Sequence, residues 1–103
     1  MVGKFVHNDM ADKVFERDRG VCALCGVDTM DLRRRKRKLG YAERLAFERQ
    51  WGKRKTLWDA DHVLPVAEGG GECDLDNMRT LCLLCHRKVT AELRDRLRRR
   101  AGV

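Results

Sequence analysis

The stretch "WDADHVLPVAEGGGECDLDNMRTLCLLCHRK", Trp58 to Lys88, changes character several times over a short span. With the two residues before it, "TLWDADHVLPV" is rich in β-formers and leads to Pro65, the chain's only proline, and then to "EGGGE"; it predicts a strand that ends in a flexible loop. Arg79 to Cys82 offers a partner strand. From Leu84 onward the pattern is helical, with His86, Val89, Leu93 and Leu97 at three- and four-residue intervals, which puts them on one inward face. The expectation is a small α+β unit in which a helix packs across a strand pair.

The stretch closes on Cys82 and Cys85 at zinc-knuckle spacing, with His86 directly after the second. Were His86 a ligand to the same ion, its role would be structural. A second knuckle, Cys22 and Cys25 in "CALCG", supplies two more sulfurs, and Gly26 permits the tight turn that faces both toward one ion. Four cysteines then satisfy a tetrahedral zinc and leave His86 for other work. A bound zinc also addresses a shortage. A chain of 103 residues has a marginal apolar core, and a structural zinc is worth on the order of 10 kcal/mol or more in small peptides. The competing reading is four ordinary buried cysteines, which the paired spacing disfavours. Cys73 has no partner at such spacing and reads as a free thiol. The opening "MVGKFVHNDM" has no apolar segment with a small-residue cleavage site, so the expected setting is cytoplasmic rather than secreted, where thiols stay reduced. No apolar run has the length of a membrane span.

Working toward the N-terminus, Met10, Val14 and Phe15 fall at helical spacing, which predicts a helix from Asn8, as N-cap, to Asp18, with Gly20 past its end. Between about residues 30 and 54 lies a basic helical insert, predicted from Met30 to Trp51 and broken at Gly40. The formal charge is +7 and the sequence pI about 9.5, which suits a polyanionic partner, nucleic acid first. The charge gathers in "RRRKRK" (Arg33, Arg34, Arg35, Lys36, Arg37 and Lys38) and "RDRLRRR" (Arg94 to Arg100). For the second run, offsetting a helix macrodipole and keeping the chain in solution explain the charge about equally well. The first run reads as an exposed basic face that grips duplex, against the blander reading of a solvated or partner-facing helix.

With zinc held by sulfur, Asp61, His62, Asn77 and His86 remain as a polar cluster. A carboxylate and an imidazole suit a divalent ion that keeps several waters, and open coordination positions imply catalysis. Asp61 beside His62 allows one residue to bind metal while the other takes a proton from water. Neighbours on a regular strand point oppositely, so both serve one reaction only where the strand is distorted, as it is expected to be ahead of Pro65. Taken singly, each has an ordinary explanation: a solvated carboxylate, half-buried imidazoles, a turn or N-cap asparagine.

Together, "VFERDRGVCALCG" and the segment from Trp58 to about Glu92 resemble the HNH endonucleases of the ββα-metal fold, in the subtype with a four-cysteine zinc. The likeness extends to stand-alone bacterial and phage members and to the nuclease domain of the vertebrate annealing helicase and endonuclease. The resemblance implies a single domain over residues 1–103, with a ββα-metal core stapled by Cys22, Cys25, Cys82 and Cys85 and flanked by the N-terminal helix and the basic insert. It implies that Asp61 and His86 bind the catalytic ion, that His62 is the general base, and that Asn77 orients the base or the metal-binding loop; some relatives use this asparagine as a ligand. It further implies hydrolysis of DNA, most readily double-stranded, to 5′-phosphate and 3′-hydroxyl ends. Arg87 and Lys88 are expected to add phosphate contacts. Magnesium or manganese is the expected ion, with nickel or cobalt competent through the imidazole. Two other functions stay open: a zinc-stabilised nucleic-acid-binding module without its own catalysis, and an RNA-directed nuclease. A protein partner or a dimer is compatible with either, since one site nicks and two sites cut.

Overall fold

Antiparallel pairing of the two β segments organises the molecule. In the computed structural model, which describes residues 2–72 and 74–102 and side chains from residue 10 onward, β1 (Trp58–His62) pairs with β2 (Met78–Cys82) from Trp58↔Cys82 to His62↔Met78. Backbone bonds from Leu83 to Leu57 O (3.1 Å) and from Val63 to Asn77 O (2.7 Å) carry the ladder one step beyond each end. β1 is shorter than the β-rich run at Thr56 to Val66 suggests, because the chain leaves the strand after His62 and turns at Pro65, whereas β2 begins one residue before the expected Arg79. α4 (Leu83–Gly102) follows β2 without a loop, and Cys82 Sγ accepts from Cys85 N–H at 3.5 Å at its first turn.

Alternation along the strands gives the pair two working faces. Trp58 and Thr80 meet α1 (Val2–Asp18): Phe15 stacks on Trp58 with centroids 5.9 Å apart, and Thr80 Oγ1 donates to Asp18 at 3.0 Å. Asp59 and Asp61 meet α4 through His86. Arg17 fastens α1 to the start of β2, donating to Met78 O (2.6 Å) and Leu75 O (3.0 Å) while Asp18 holds the same guanidinium. That Arg17 contact, with the Thr80 hydroxyl behind it, keeps the Asp18 carboxyl below its ordinary value although burial opposes the shift. α1 reaches back to Val2, so Asn8 lies inside the helix and does not cap it; with no proline ahead of it, nothing in the local sequence stops the hydrogen-bond ladder there. Its C-terminal end is as expected. Gly20 at φ +78 reverses the chain, and a Cβ there would lie 2.9 Å from the Oγ1 of buried Thr29.

The basic insert forms α2 (Thr29–Arg37) and α3 (Tyr41–Trp51), separated at Gly40 as the sequence predicts. Asp28 caps α2 by accepting from Met30 N–H (3.0 Å) and Asp31 N–H (3.2 Å), and Glu43 accepts from Gly40 N–H (3.2 Å) at the start of α3. One residue corrects the expected exposed face. Lys36 is turned inward, only 9% exposed, against Glu48 (4.0 Å) and the Phe47 ring (5.5 Å from its centroid), because α3 folds back over that side of α2. Between β1 and β2 the chain makes two 3₁₀ turns, Val66–Glu68 and Leu75–Asn77. Val14, Leu57, Leu81, Cys22 and Cys82 form the buried centre. Among the described residues no helix is long and apolar enough to cross a membrane.

Candidate active site

A tight turn and the β2–α4 junction present the four knuckle cysteines to one point. In the first, Cys22 N–H donates to Val27 O (2.9 Å) and Gly26 N–H to Cys22 O (3.0 Å), with Gly26 at φ +79, and Ala23 N–H ties the turn to Thr80 O of β2 (2.8 Å). The second knuckle spans the β2–α4 junction. All four sulfurs lie within 4.8 Å of one another, with Cys25 and Cys82 at 3.8 Å. A tetrahedron with zinc–sulfur bonds of about 2.3 Å has edges of about 3.8 Å, so the donor set fits a structural zinc. The thiols are unequal. Burial opposes ionisation of Cys22, yet backbone N–H groups of Cys25, Cys82 and Leu24 outweigh it and bring the thiol down to about 6. Burial and the neighbouring thiols push Cys85 up to about 12. All four sulfurs can ionise together at this spacing only with a cation among them.

Cys85 of the four-cysteine cluster and His86 share the first turn of α4. His86 begins α4 with its ring over the Asp59–Asp61 face of β1. Its Nδ1 lies 3.0 Å from Asp59 Oδ2, so Nδ1–H donates to the Asp59 carboxylate and Nε2 turns its lone pair toward Asp61 Oδ1, 3.7 Å away. Two acceptors facing each other across that gap suit a cation between them, and a carboxylate on the far nitrogen is how metal-binding imidazoles are oriented. Asp61's other oxygen is 3.4 Å from the Arg79 guanidinium. Asp59 is itself clamped by Arg54 through paired bonds of 2.8 and 2.9 Å. Burial works against the Asp59 carboxylate, but Arg54 and then His86 prevail and hold it below its ordinary value.

His62 closes β1 in regular register opposite Met78, so the distortion expected ahead of Pro65 does not begin at this residue. Its Nε2 is 3.0 Å from Glu72 O, which leaves Nδ1 as the free acceptor. Asp61 and His62 line one cleft of about 540 Å³ between the loop after β1 and α4, with Arg79 and the apolar Val63, Pro65, Val89 and Leu93. Both residues border this one space although neighbours on a strand alternate. Asn77 spends its carboxamide on the loop: Oδ1 accepts from Leu64 N–H (2.9 Å), and Nδ2 donates to Leu64 O (2.9 Å) and Gly71 O (3.0 Å). Gly70 threads beside that amide, where a Cβ would collide with the Leu64 carbonyl and lie 2.8 Å from Asn77 Nδ2.

The remaining candidates divide by their partners. Arg34 and Arg35 pair with Asp31 (3.5 and 3.0 Å), Arg87 donates to Gln50 O (3.0 Å), and Lys38 and Lys88 are exposed. In the C-terminal run, Arg96 (3.1 Å) and Arg100 (2.8 Å) bind Glu68, so part of that charge fastens α4 to the loop. Cys73 lies outside the described residues. Asp59, Arg54, Arg79 and Gly70 were not singled out from the sequence. Asp59 was within reach, since it stands two residues before Asp61 and shares its strand face.

Comparison with known proteins identifies the family and the fold. The HNH endonuclease family model matches residues 49–92. The DNA annealing helicase and endonuclease ZRANB3 of Bos taurus is 36% identical over 96 residues, and that of Homo sapiens 37% over 95, covering 78% and 77% of the chain. The chain spans only 9% of the length of these relatives. The crystal structure of the human ZRANB3 HNH domain superposes with a TM-score of 0.62 at 35% identity, covering 87% of this chain and 93% of that domain.

Proposed function

This chain belongs to the HNH endonuclease family, and we propose that it is a metal-dependent nuclease that hydrolyses phosphodiester bonds of double-stranded DNA with little sequence preference of its own. One observation carries the reading: Asp61 and His86 turn donor atoms toward each other while His62, next along the strand, lines the same cleft as Asp61. Asp61 and His86 would hold the divalent ion, magnesium or manganese first, with nickel or cobalt also suited to the imidazole. Bound there, such an ion neutralises charge that develops on the phosphate and on the leaving oxygen.

The chain's own residues do the rest. His62 accepts the proton of the attacking water at Nδ1, because Nε2 is occupied with Glu72 O. Asp59 keeps His86 in the tautomer that presents Nε2 to Asp61. Asn77 acts as a tether rather than a ligand, holding Leu64 and Gly71 so that the loop keeps the Glu72 carbonyl against His62. Lys88 and the basic insert supply phosphate contacts that position the duplex without reading bases.

Conversion of supercoiled plasmid to nicked or linear form tests this directly. Zinc-loaded wild type should cut with magnesium or manganese and not with a chelator selective for the catalytic ion. His62→Ala, still folded, should lose about 10²–10⁴-fold in rate while continuing to bind DNA. Binding by both proteins with cutting by neither would favour the zinc-stabilised binding module instead.

A further inference from the structure

The two helices of the insert enclose a second concavity, away from the cleft that holds His62. It measures about 280 Å³ and is lined by Arg33, Lys36, Arg37, Arg44 and Lys55. One carboxylate answers these five cations: Glu48 lies 4.0 Å from Lys36 and 3.8 Å from Arg44. Arg33, Arg37 and Lys55 have no ion pair or hydrogen bond among the described residues. The other side of α2 differs, since Asp31 there neutralises Arg34 and Arg35. Lys36 is nine-tenths buried beneath the pocket with its carboxylate at the edge of ion-pair distance, so this charge is built into the fold rather than scattered on its surface.

We propose that this pocket is a phosphate clamp that holds the DNA backbone at a point separate from the scissile bond. The proposal rests on the nuclease reading for its choice of ligand and adds Arg44 and Lys55 to the DNA-binding residues while removing Arg34 and Arg35. Convergent cations without partners repel one another, and a phosphodiester relieves that repulsion while releasing counterions from DNA. The segment from Gly52 to Leu57 links this pocket to the catalytic face. Lys55 lines the pocket, and the preceding Arg54 clamps Asp59 behind His86. A duplex held by α2 and α3 is thereby held by the same chain segment that orients the metal-binding histidine.

The test is the salt dependence of binding to a short fluorescent duplex, measured in the zinc-loaded His62→Ala background so that the probe survives. Arg37→Gln with Lys55→Gln should lower the slope of log affinity against log salt by about 2, one for each phosphate contact. Arg33→Gln, a second variant that leaves buried Lys36 untouched, should lower it by about 1. Arg34→Gln with Arg35→Gln removes the same charge from the Asp31 side and should change the slope by less than half as much. Equal losses from both pairs, or none from Arg37 and Lys55, would overturn the clamp. Plasmid cutting by the wild type reports separately on the nuclease reading: cutting with an unchanged slope sinks the clamp alone, and binding with the predicted slopes but no cutting sinks the nuclease alone.

Discussion

Asp59 shows how much the site depends on a side chain that touches no reacting group. It fixes the His86 tautomer at 3.0 Å and is itself held in place by Arg54, so the ring that faces Asp61 cannot rotate without breaking its charge-assisted contact to an anchored carboxylate. An orienting partner of this kind is typically worth 10- to 100-fold in metal affinity or activity. Asp59→Ala should therefore raise the magnesium or manganese concentration for half-maximal cutting by about 10- to 100-fold, with the KM for DNA little changed. A titration of cutting rate against metal checks this. An unchanged midpoint with a fall in folded fraction would make Asp59 a stability residue only.

The loop between β1 and β2 is the element that holds His62, the proposed general base. It carries the Glu72 carbonyl on His62, and it is closed by Asn77 on Leu64 and Gly71. Gly70 is needed for a reason separate from backbone torsion: the Leu64 carbonyl occupies the space a side chain would take. Gly70→Ala should cost about 1–3 kcal/mol if the loop yields, as overpacking does elsewhere. It should also slow cutting by more than the lost stability explains, since the Asn77 bonds and the carbonyl behind His62 move together. Thermal melts and cutting rates on the same zinc-loaded samples separate these effects; a variant with wild-type rate would show that loop closure does not position His62.

At the scale of the whole molecule, the four-cysteine cluster, with the zinc it fits, would join what the core cannot hold alone. A two-stranded sheet is at best marginally stable in water, and the buried side chains here are few. The sulfurs link the turn after α1 to the junction of β2 and α4, so the cluster sits between both faces of the strand pair and directly behind His86. Removing zinc with a strong chelator, or substituting Cys25→Ser, should abolish cooperative unfolding and lose most tertiary near-ultraviolet signal, because binding free energy and folding free energy are one quantity in such domains. A chelated protein that melted cooperatively near the wild-type temperature would show that the packed core suffices.

Across the whole chain, what the sequence determined by itself was carried by spacing. The cysteine pairs, the strand, loop, strand and helix order and the break at Gly40 are written in short-range pattern, where periodicity and turn chemistry act before any packing; the quartet Asp61, His62, Asn77 and His86 stood out only through the family resemblance. The tertiary structure decided the rest. Asn8 was absorbed into a longer helix because no local signal ended the ladder, and Lys36 turned inward because α3 folds over α2. The pairing of Asp59 with His86, 27 residues apart, and the approach of Gly70 to Leu64 depend on where the packed strand pair, loop and α4 bring distant atoms. A residue's type and spacing state which chemistry it can do; only the packing of elements fixes which neighbour receives its charge or its proton.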